Sequence, residues 1–277
     1  EGPRAFYLHP YSSAALESHK FSLLLENFDQ IKNSKAPLDL VMQEFFVNAC
    51  KADLYEIPKK ILYSLQFINV NVALPYNPLH LSAIYGLYNT FELLLGTMHD
   101  EAIPKQDYNR RTLINAQSYD MAVIIENDER ADGLTALELA IQYGHYYIFD
   151  KLLNHPDIQL KGPDSVSRWR GNSPIQICAK FGRNRMLQIL FEKKKSDINI
   201  NYCNMEVHTL QNQQLTPKGG KLSALHWAVL SNNVDAVRIL IDQGIDTSLQ
   251  NIFNKTARDL ANEVPNINPL IIQALSQ

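Results

Sequence analysis

Cysteine is scarce in this chain, with three in 277 residues, at positions 50, 178 and 203. Three widely spaced cysteines cannot build a disulfide framework. Two of them fall in predicted helices where a small apolar residue is wanted, which suits a reducing compartment. Long apolar runs are missing too, and none approaches the ~18 residues of a membrane span. Glu1–Phe6 has no basic stretch leading into an apolar one, so no secretory signal is expected there. A dominant charge sign is also absent, since the net charge of −3 gives no general affinity for nucleic acid or membrane. Glycine-rich phosphate loops, His-Glu-x-x-His and Cys-x-x-Cys do not occur. Cys203 and His208 have the residue types of a nucleophile and its base. They lie in a polar stretch without an orienting group, and a catalytic pair must be held in geometry. The expectation is a chain of the cytoplasm, or of a host cell's cytoplasm or nucleus if it is exported to act there, with no cofactor, no metal site and no catalytic residue.

Periodicity is what the sequence does have. In Ser223–Asn251, Leu225, Trp227, Ala228 and Val229 give one short helix its apolar body. Asn232-Asn233 breaks that helix, and Val234, Val237, Ile239, Leu240 and Ile241 recur at the spacing of a second. Gln243-Gly244 ends it, glycine suiting the left-handed residue that follows many helices. A pair this short cannot bury its apolar face alone, so copies are expected on either side. They are present. Asn77–Ala83 is followed by Gly86 and Leu93-Leu94-Leu95, Thr135–Ala140 by Gly144 and Leu152-Leu153, and Ser173–Ala179 by Gly182 and Ile189-Leu190. Thr256–Ala261 opens a final half copy, and Asn48–Ala52 marks a degenerate first one.

With Asn48, Ser82, Ala140, Cys178, Ala228 and Ala261 as markers, the gaps are 34, 58, 38, 50 and 33 residues. The expected period is roughly 33, so the second, third and fourth gaps carry insertions. These fall at 97–130, 161–170 and 202–222.

The Thr-Pro-Leu-His-like tetrapeptides, the small residue two places on, the glycine beyond it and the paired leucines resemble the ankyrin repeat family. That resemblance implies an all-α solenoid of stacked helix-turn-helix units with finger-like insertions. A helical cap at 1–38 would precede repeats at about 39–76, 77–130, 131–160, 161–201 and 202–251, with 252–277 closing the stack. Leu16, Phe21, Leu24, Leu25 and Phe28 give the cap an amphipathic pattern. The apolar stretch 121–125 within the first insertion reads as a short strand or helical turn folded back on the stack. The resemblance also implies that His80 and His226 tie neighbouring repeats together.

By the same resemblance, the residues just before each glycine face a concave groove: Ile84 and Tyr85, Gln142 and Tyr143, Lys180 and Phe181, Leu230 and Ser231. Trp169 between Arg168 and Arg170 is a second anchor, because an exposed tryptophan flanked by arginines invites a partner. Residues 161–195 hold nine basic side chains, Arg183 and Arg185 among them, against two acidic ones. The local charge is +7 and the remainder of the chain is at −10. A solenoid lays sequence out in spatial order, so this block becomes a patch. The expected function is a monomeric protein-interaction module whose partner has an acidic surface, with no small-molecule substrate and no nucleic acid. The other class considered is an enzyme built on the insertions or the N-terminal segment. The uneven insertions and the Asn-, Gln-, Ile- and Lys-rich composition are similar in style to ankyrin-repeat effectors of intracellular bacterial pathogens, which implies action on host proteins.

Overall fold

A computed structural model describes residues 38–71, 77–105, 107, 110, 112–116, 134–160, 172–204 and 221–276. The expected cap, the stretch 121–125, Arg168, Trp169, Arg170 and His208 lie outside the described residues. Among the described residues the elements are twelve α-helices and one 3-10 turn. None of these helices is long and apolar enough to cross a membrane.

The chain divides into two compact units, Glu1–Ala116 and Gln117–Gln277. The first holds α1 (Leu38–Lys51), α2 (Glu56–Ser64), α3 (Pro78–Tyr85) and α4 (Tyr88–Thr97). Here α1 pairs with α2, α3 pairs with α4, and α1 packs on α3. The second holds α5 (Ala136–Tyr143), α6 (Tyr146–Leu153), α7 (Pro174–Phe181), α8 (Asn184–Lys194), α9 (Ala224–Leu230), α10 (Val234–Asp242), α11 (Ala257–Glu263) and α12 (Pro269–Ala274). The 3-10 turn, Lys195–Asp197, follows α8. In this unit α5, α7, α9 and α11 form one row, each touching the next, and α8, α10 and α12 form a second row behind it.

Short polar side chains start the front-row helices. Asn77, Thr135, Ser173, Ser223 and Thr256 stand at the N-caps in extended backbone. Three residues on, His80, Glu138, Gln176, His226 and Asp259 reach back to accept the cap's own N–H. Each exchange satisfies a donor that a helix start leaves open. A left-handed residue then turns the chain into the second helix, at Asp53, Gly86, Gly144, Gly182, Asn232 and Asn266, with φ between 52° and 84°. Glycine takes that conformation without strain, and Asn and Asp tolerate it.

Counting back four residues from five of these turns gives Ala49, Ser82, Ala140, Cys178 and Ala228, all at 0% exposure. Small side chains there let front-row helices approach closely. In the first repeat the place belongs to Ala49, one residue past Asn48. Behind them, Leu93 and Leu94, Leu152 and Leu153, and Ile189 and Leu190 fill the space between the rows.

Both histidines reach forward, His80 into the insertion of its own repeat and His226 into the repeat that follows. His80 Nδ1 accepts the Asn77 N–H, so Nε2 carries the proton and donates to the Ala116 carbonyl at 2.8 Å. His226 does the same between Ser223 and the Lys255 carbonyl, the latter at 3.0 Å. Both rings must be neutral to make this pair of bonds. Burial holds the His80 imidazole down at about 4, partly offset by its bond to Ala116, and lowers His226 in the same direction.

For His80 the folded value lies below the ordinary 6.5. Its contribution is therefore fully present above pH 6.5 and is lost as pH falls toward 4. A glutamine offers the same acceptor and donor without a titrating proton. His80→Gln is expected to retain its stability at pH 7.5 and to lose about 2–3 kcal/mol less than the parent between pH 7 and pH 4.5. Urea unfolding at the two pH values measures the difference.

Candidate interaction surface

Within each unit the helix-to-helix turns of successive repeats are joined by differing polar pairings. In the first unit Asp53 accepts from the Thr90 backbone N–H at 2.9 Å, and the Thr90 hydroxyl donates to the Cys50 carbonyl at 2.8 Å. In the second unit Arg183 crosses to the preceding repeat. Its Nε donates to the Ile141 carbonyl at 3.2 Å and its Nη2 to the Gln142 carbonyl at 2.9 Å. The Ile141 carbonyl also accepts from the Gly144 N–H at 3.2 Å, and a cation suits the negative end of a helix. Gly144 makes room for the crossing, because a Cβ there would stand 2.9 Å from Arg183 Cζ. At the next junction Asn184 and Asn233 exchange carboxamide bonds at 3.1 and 2.8 Å, and Ser231 donates to the Lys180 carbonyl at 2.8 Å. Asn232 and the Asn266–Asn268 turn close the last one.

The candidate binding residues sit beside these junctions. Lys180, at the end of α7, holds its ammonium 4.6 Å from the centroid of Trp227 on α9 and 5.4 Å from that of Phe181. Both distances lie within the range of cation–π attraction. Lys180, Phe181 and Leu230 are half-buried, and Trp227 is 4% exposed. Lys180, Phe181, Asn184, Ser231, Asn233 and Asp235 line an open recess of about 590 Å³. Gln142 and Tyr143 are half-buried one repeat earlier.

In the first unit Ile84 is 7% exposed and packs inward, while Tyr85 is 39% exposed. The basic block is partly used in holding the stack. Arg183 is tied to the α5 carbonyls, Lys193 to Asp150 and Asn154 at 2.9 and 3.0 Å, and Lys195 to Gln243 at 3.0 Å. Its Lys193 bond holds the Asp150 carboxyl below the usual range. Arg185 is exposed, with Glu192 3.8 Å away.

Sequence reasoning placed Trp227 in a helix body and missed it as the surface against which Lys180 lies. It also missed a register of tyrosines two places past the left-handed residue. Tyr55 and Tyr88 occupy it in the first unit and Tyr146 in the second, each more than a third exposed. Their equal offset from the turn is the signal that would have found them. Nucleophile chemistry has little support among the described cysteines. Cys50 and Cys178 are buried, burial pushes both thiols well above the ordinary thiol range, and it raises the half-buried Cys203 as well.

Residues 159–251 match the family model described as ankyrin repeats in three copies. Alpha-latrotoxin-Lg1a of Latrodectus geometricus is 26% identical over 141 residues, covering 50% of this chain and 9% of the toxin. The nuclear factor NF-kappa-B p105 subunit of Mus musculus is 32% identical over 104 residues, covering 37% of this chain and 9% of that subunit. The chain thus spans about a tenth of the length of these curated relatives. The crystal structure of the human ASB11 ankyrin repeat domain superposes with a TM-score of 0.58 at 16% identity, over 97% of each chain. Residues 159–251 are ankyrin repeats, and the fold is the all-α ankyrin-repeat fold.

The Arg183 crossing gives a stability test. The left-handed backbone alone costs alanine about 1–2 kcal/mol at a glycine such as Gly144 or Gly244. Open space surrounds Gly244, whereas Gly144→Ala must also displace Arg183. Gly144→Ala is expected to lower stability by about 1 kcal/mol more than Gly244→Ala. Arg183→Ala should remove that excess, as read by urea midpoints of the three variants and the double variant.

Proposed function

We propose that this chain is a protein-interaction module that takes an acidic partner surface on the ends of its front-row helices. In the second unit the contact is centred on Lys180, Phe181 and Leu230, with Gln142 and Tyr143 beside them. Tyr85 of the first unit and Arg185 are further exposed candidates, each read within its own unit, and Arg168, Trp169 and Arg170 are candidates by sequence. The observation behind this reading is the half-buried cluster of Lys180, Phe181 and Trp227. It sets a cation and one half-buried ring over a buried tryptophan, and interfaces concentrate their energy on aromatic and cationic side chains. Ankyrin repeats in three copies at 159–251 support an interaction role rather than a catalytic one. Action on host proteins after delivery into a host cell is the setting that the uneven insertions suggest.

Affinity capture with the full chain tests the reading. The parent is compared with Lys180→Ala/Phe181→Ala and with Arg238→Ala, which alters an exposed side chain of α10 that does not line the recess. All three should show the same helical circular dichroism. The double variant is expected to bind any partner recovered by the parent at least ~30-fold more weakly, the loss typical of hot-spot residues. Arg238→Ala should bind it unchanged. If the double variant recovers the same proteins at the same affinity, the binding face lies elsewhere.

A further inference from the structure

Arg183 and Asn233 hold the same register, one place past the left-handed Gly182 and Asn232. Arg183 is long enough to cross to the preceding repeat and cover the end of α5 at the Ile141 and Gln142 carbonyls. Asn233 is too short to do the same for α7, and it exchanges bonds with Asn184 instead, at 2.8 and 3.1 Å. Gly182 is left with room around it. A Cβ there would meet Asn233 Nδ2 at 3.8 Å, an ordinary contact, whereas one at Gly144 would stand 2.9 Å from Arg183 Cζ. The space at this junction is the recess of about 590 Å³.

Opposite charges stand at its two ends. The recess follows both turns, from Lys180 and Ser231, joined at 2.8 Å, to Asn184 and Asp235, joined at 3.5 Å. Lys180 lies near the end of α7, its ammonium beside Trp227 and Phe181. Asp235 is exposed in the first turn of α10. Among the described residues its carboxylate meets the Asn184 carboxamide and no cation within ion-pair distance. Packed helices stand about 8–10 Å apart, so a run from the front row to the second row separates the two charges by roughly 10 Å. An extended chain covers that in about three residues. The carboxamides between the charges have bonding capacity left, since their exchange takes one of the two N–H groups of Asn233 and one of the two lone pairs of Asn184 Oδ1. A peptide group, with one acceptor and one donor, is the complement.

We propose that this recess receives an extended segment of the partner in which an acidic and a basic side chain stand three residues apart. The acid meets Lys180, the base meets Asp235, and a peptide group between them bonds to Asn233 and Asn184. The inference rests on the reading of this face as a binding surface and narrows its ligand. A segment carrying acids alone sets like charge against Asp235, which costs affinity and selects against such partners.

Four blocked hexapeptides in a Ser-Gly background are the probes, each titrated into the full chain. One has Glu second and Arg fifth, one the reverse order, one Glu at both places, and one Glu second with Gln fifth. Backbone amide chemical shifts of residues 180–184 and 231–235 report binding. One acid–base order is expected to bind about threefold to tenfold more tightly than the two-acid peptide. Asp235→Asn should remove that preference, and Lys180→Glu/Asp235→Lys should prefer the opposite order. Asn233→Arg places in the recess the longer side chain found at the preceding junction. It adds a positive charge, yet it is expected to weaken the acid–base peptide by about tenfold, because the space is filled. If the two-acid peptide binds as tightly as both acid–base peptides, or if Asn233→Arg tightens binding, the proposal is overturned and the acidic-partner reading stands. If no probe moves these amides, or Lys180→Ala/Phe181→Ala binds every probe as the parent does, the reading of the face fails and the proposal fails with it. The comparison of the four peptides on the parent decides the matter without any variant.

Discussion

Helices of about eight residues do not persist alone in water. Everything in this chain follows from the need of each helix pair to borrow its neighbour for a core. The front row can close only if the residue four places before each turn is small, and Ser82, Ala140, Cys178 and Ala228 all have no exposed surface. Close approach then buries the backbone at both ends of each short helix. A helix of eight residues has nearly as many unpaired end groups as paired middle ones. The polar side chains at the caps and turns are thus as much a condition of the fold as the leucines behind them.

Those polar groups fall into two layers with different rules. At the finger side His80, Gln176 and His226 each serve the cap behind and a carbonyl ahead, which takes a side chain that both accepts and donates, whereas Glu138 and Asp259 are seen serving the cap. Neutral histidine and glutamine qualify at any pH above the histidine's own titration. At the turn side each junction is solved separately: a threonine and an aspartate, an arginine on two carbonyls, a pair of asparagines. A buried donor or acceptor left unpaired costs about 1–3 kcal/mol. Many solutions are therefore acceptable, and none needs to repeat.

This division explains what could be read from the sequence. The caps, the glycine turns and the paired leucines are local patterns, so the repeats, their order and the helical class were legible. Asn232 was legible as a break between helices, but Asp53 and Asn266 were not recognisable as left-handed turns, because Asp and Asn also cap helices and close loops. The partners of Arg183 lie 41 and 42 residues away, and nothing local marks them. The inward turn of Ile84, beside the exposed Tyr85, was equally hidden, since both were read as one groove-facing pair. Lys180 was legible as a surface residue. Its position over Trp227 was not, because that contact joins the end of one helix to the middle of the next repeat's.

The same division bears on how a partner would be held. Counting charges along 161–195 suggests a strong positive patch, yet Arg183, Lys193 and Lys195 are bound within the stack. What such a patch still projects into solvent is screened over about 8–10 Å at physiological salt, so it acts mainly on the rate of encounter. Contact energy has to come from groups that lose water on binding, and aromatic surface supplies most of that at interfaces. Lys180 combines the two roles. Its ammonium lies 4.6 Å from the Trp227 ring centroid and 5.4 Å from that of Phe181, so a carboxylate arriving there would meet a cation beside aromatic surface. An exposed lysine in the same block would have to give up both water and side-chain freedom for the same bond, and such pairs contribute about 0–1 kcal/mol. Specific binding on this face should therefore depend on the junction between α7 and α9 more than on the net charge of the segment around it.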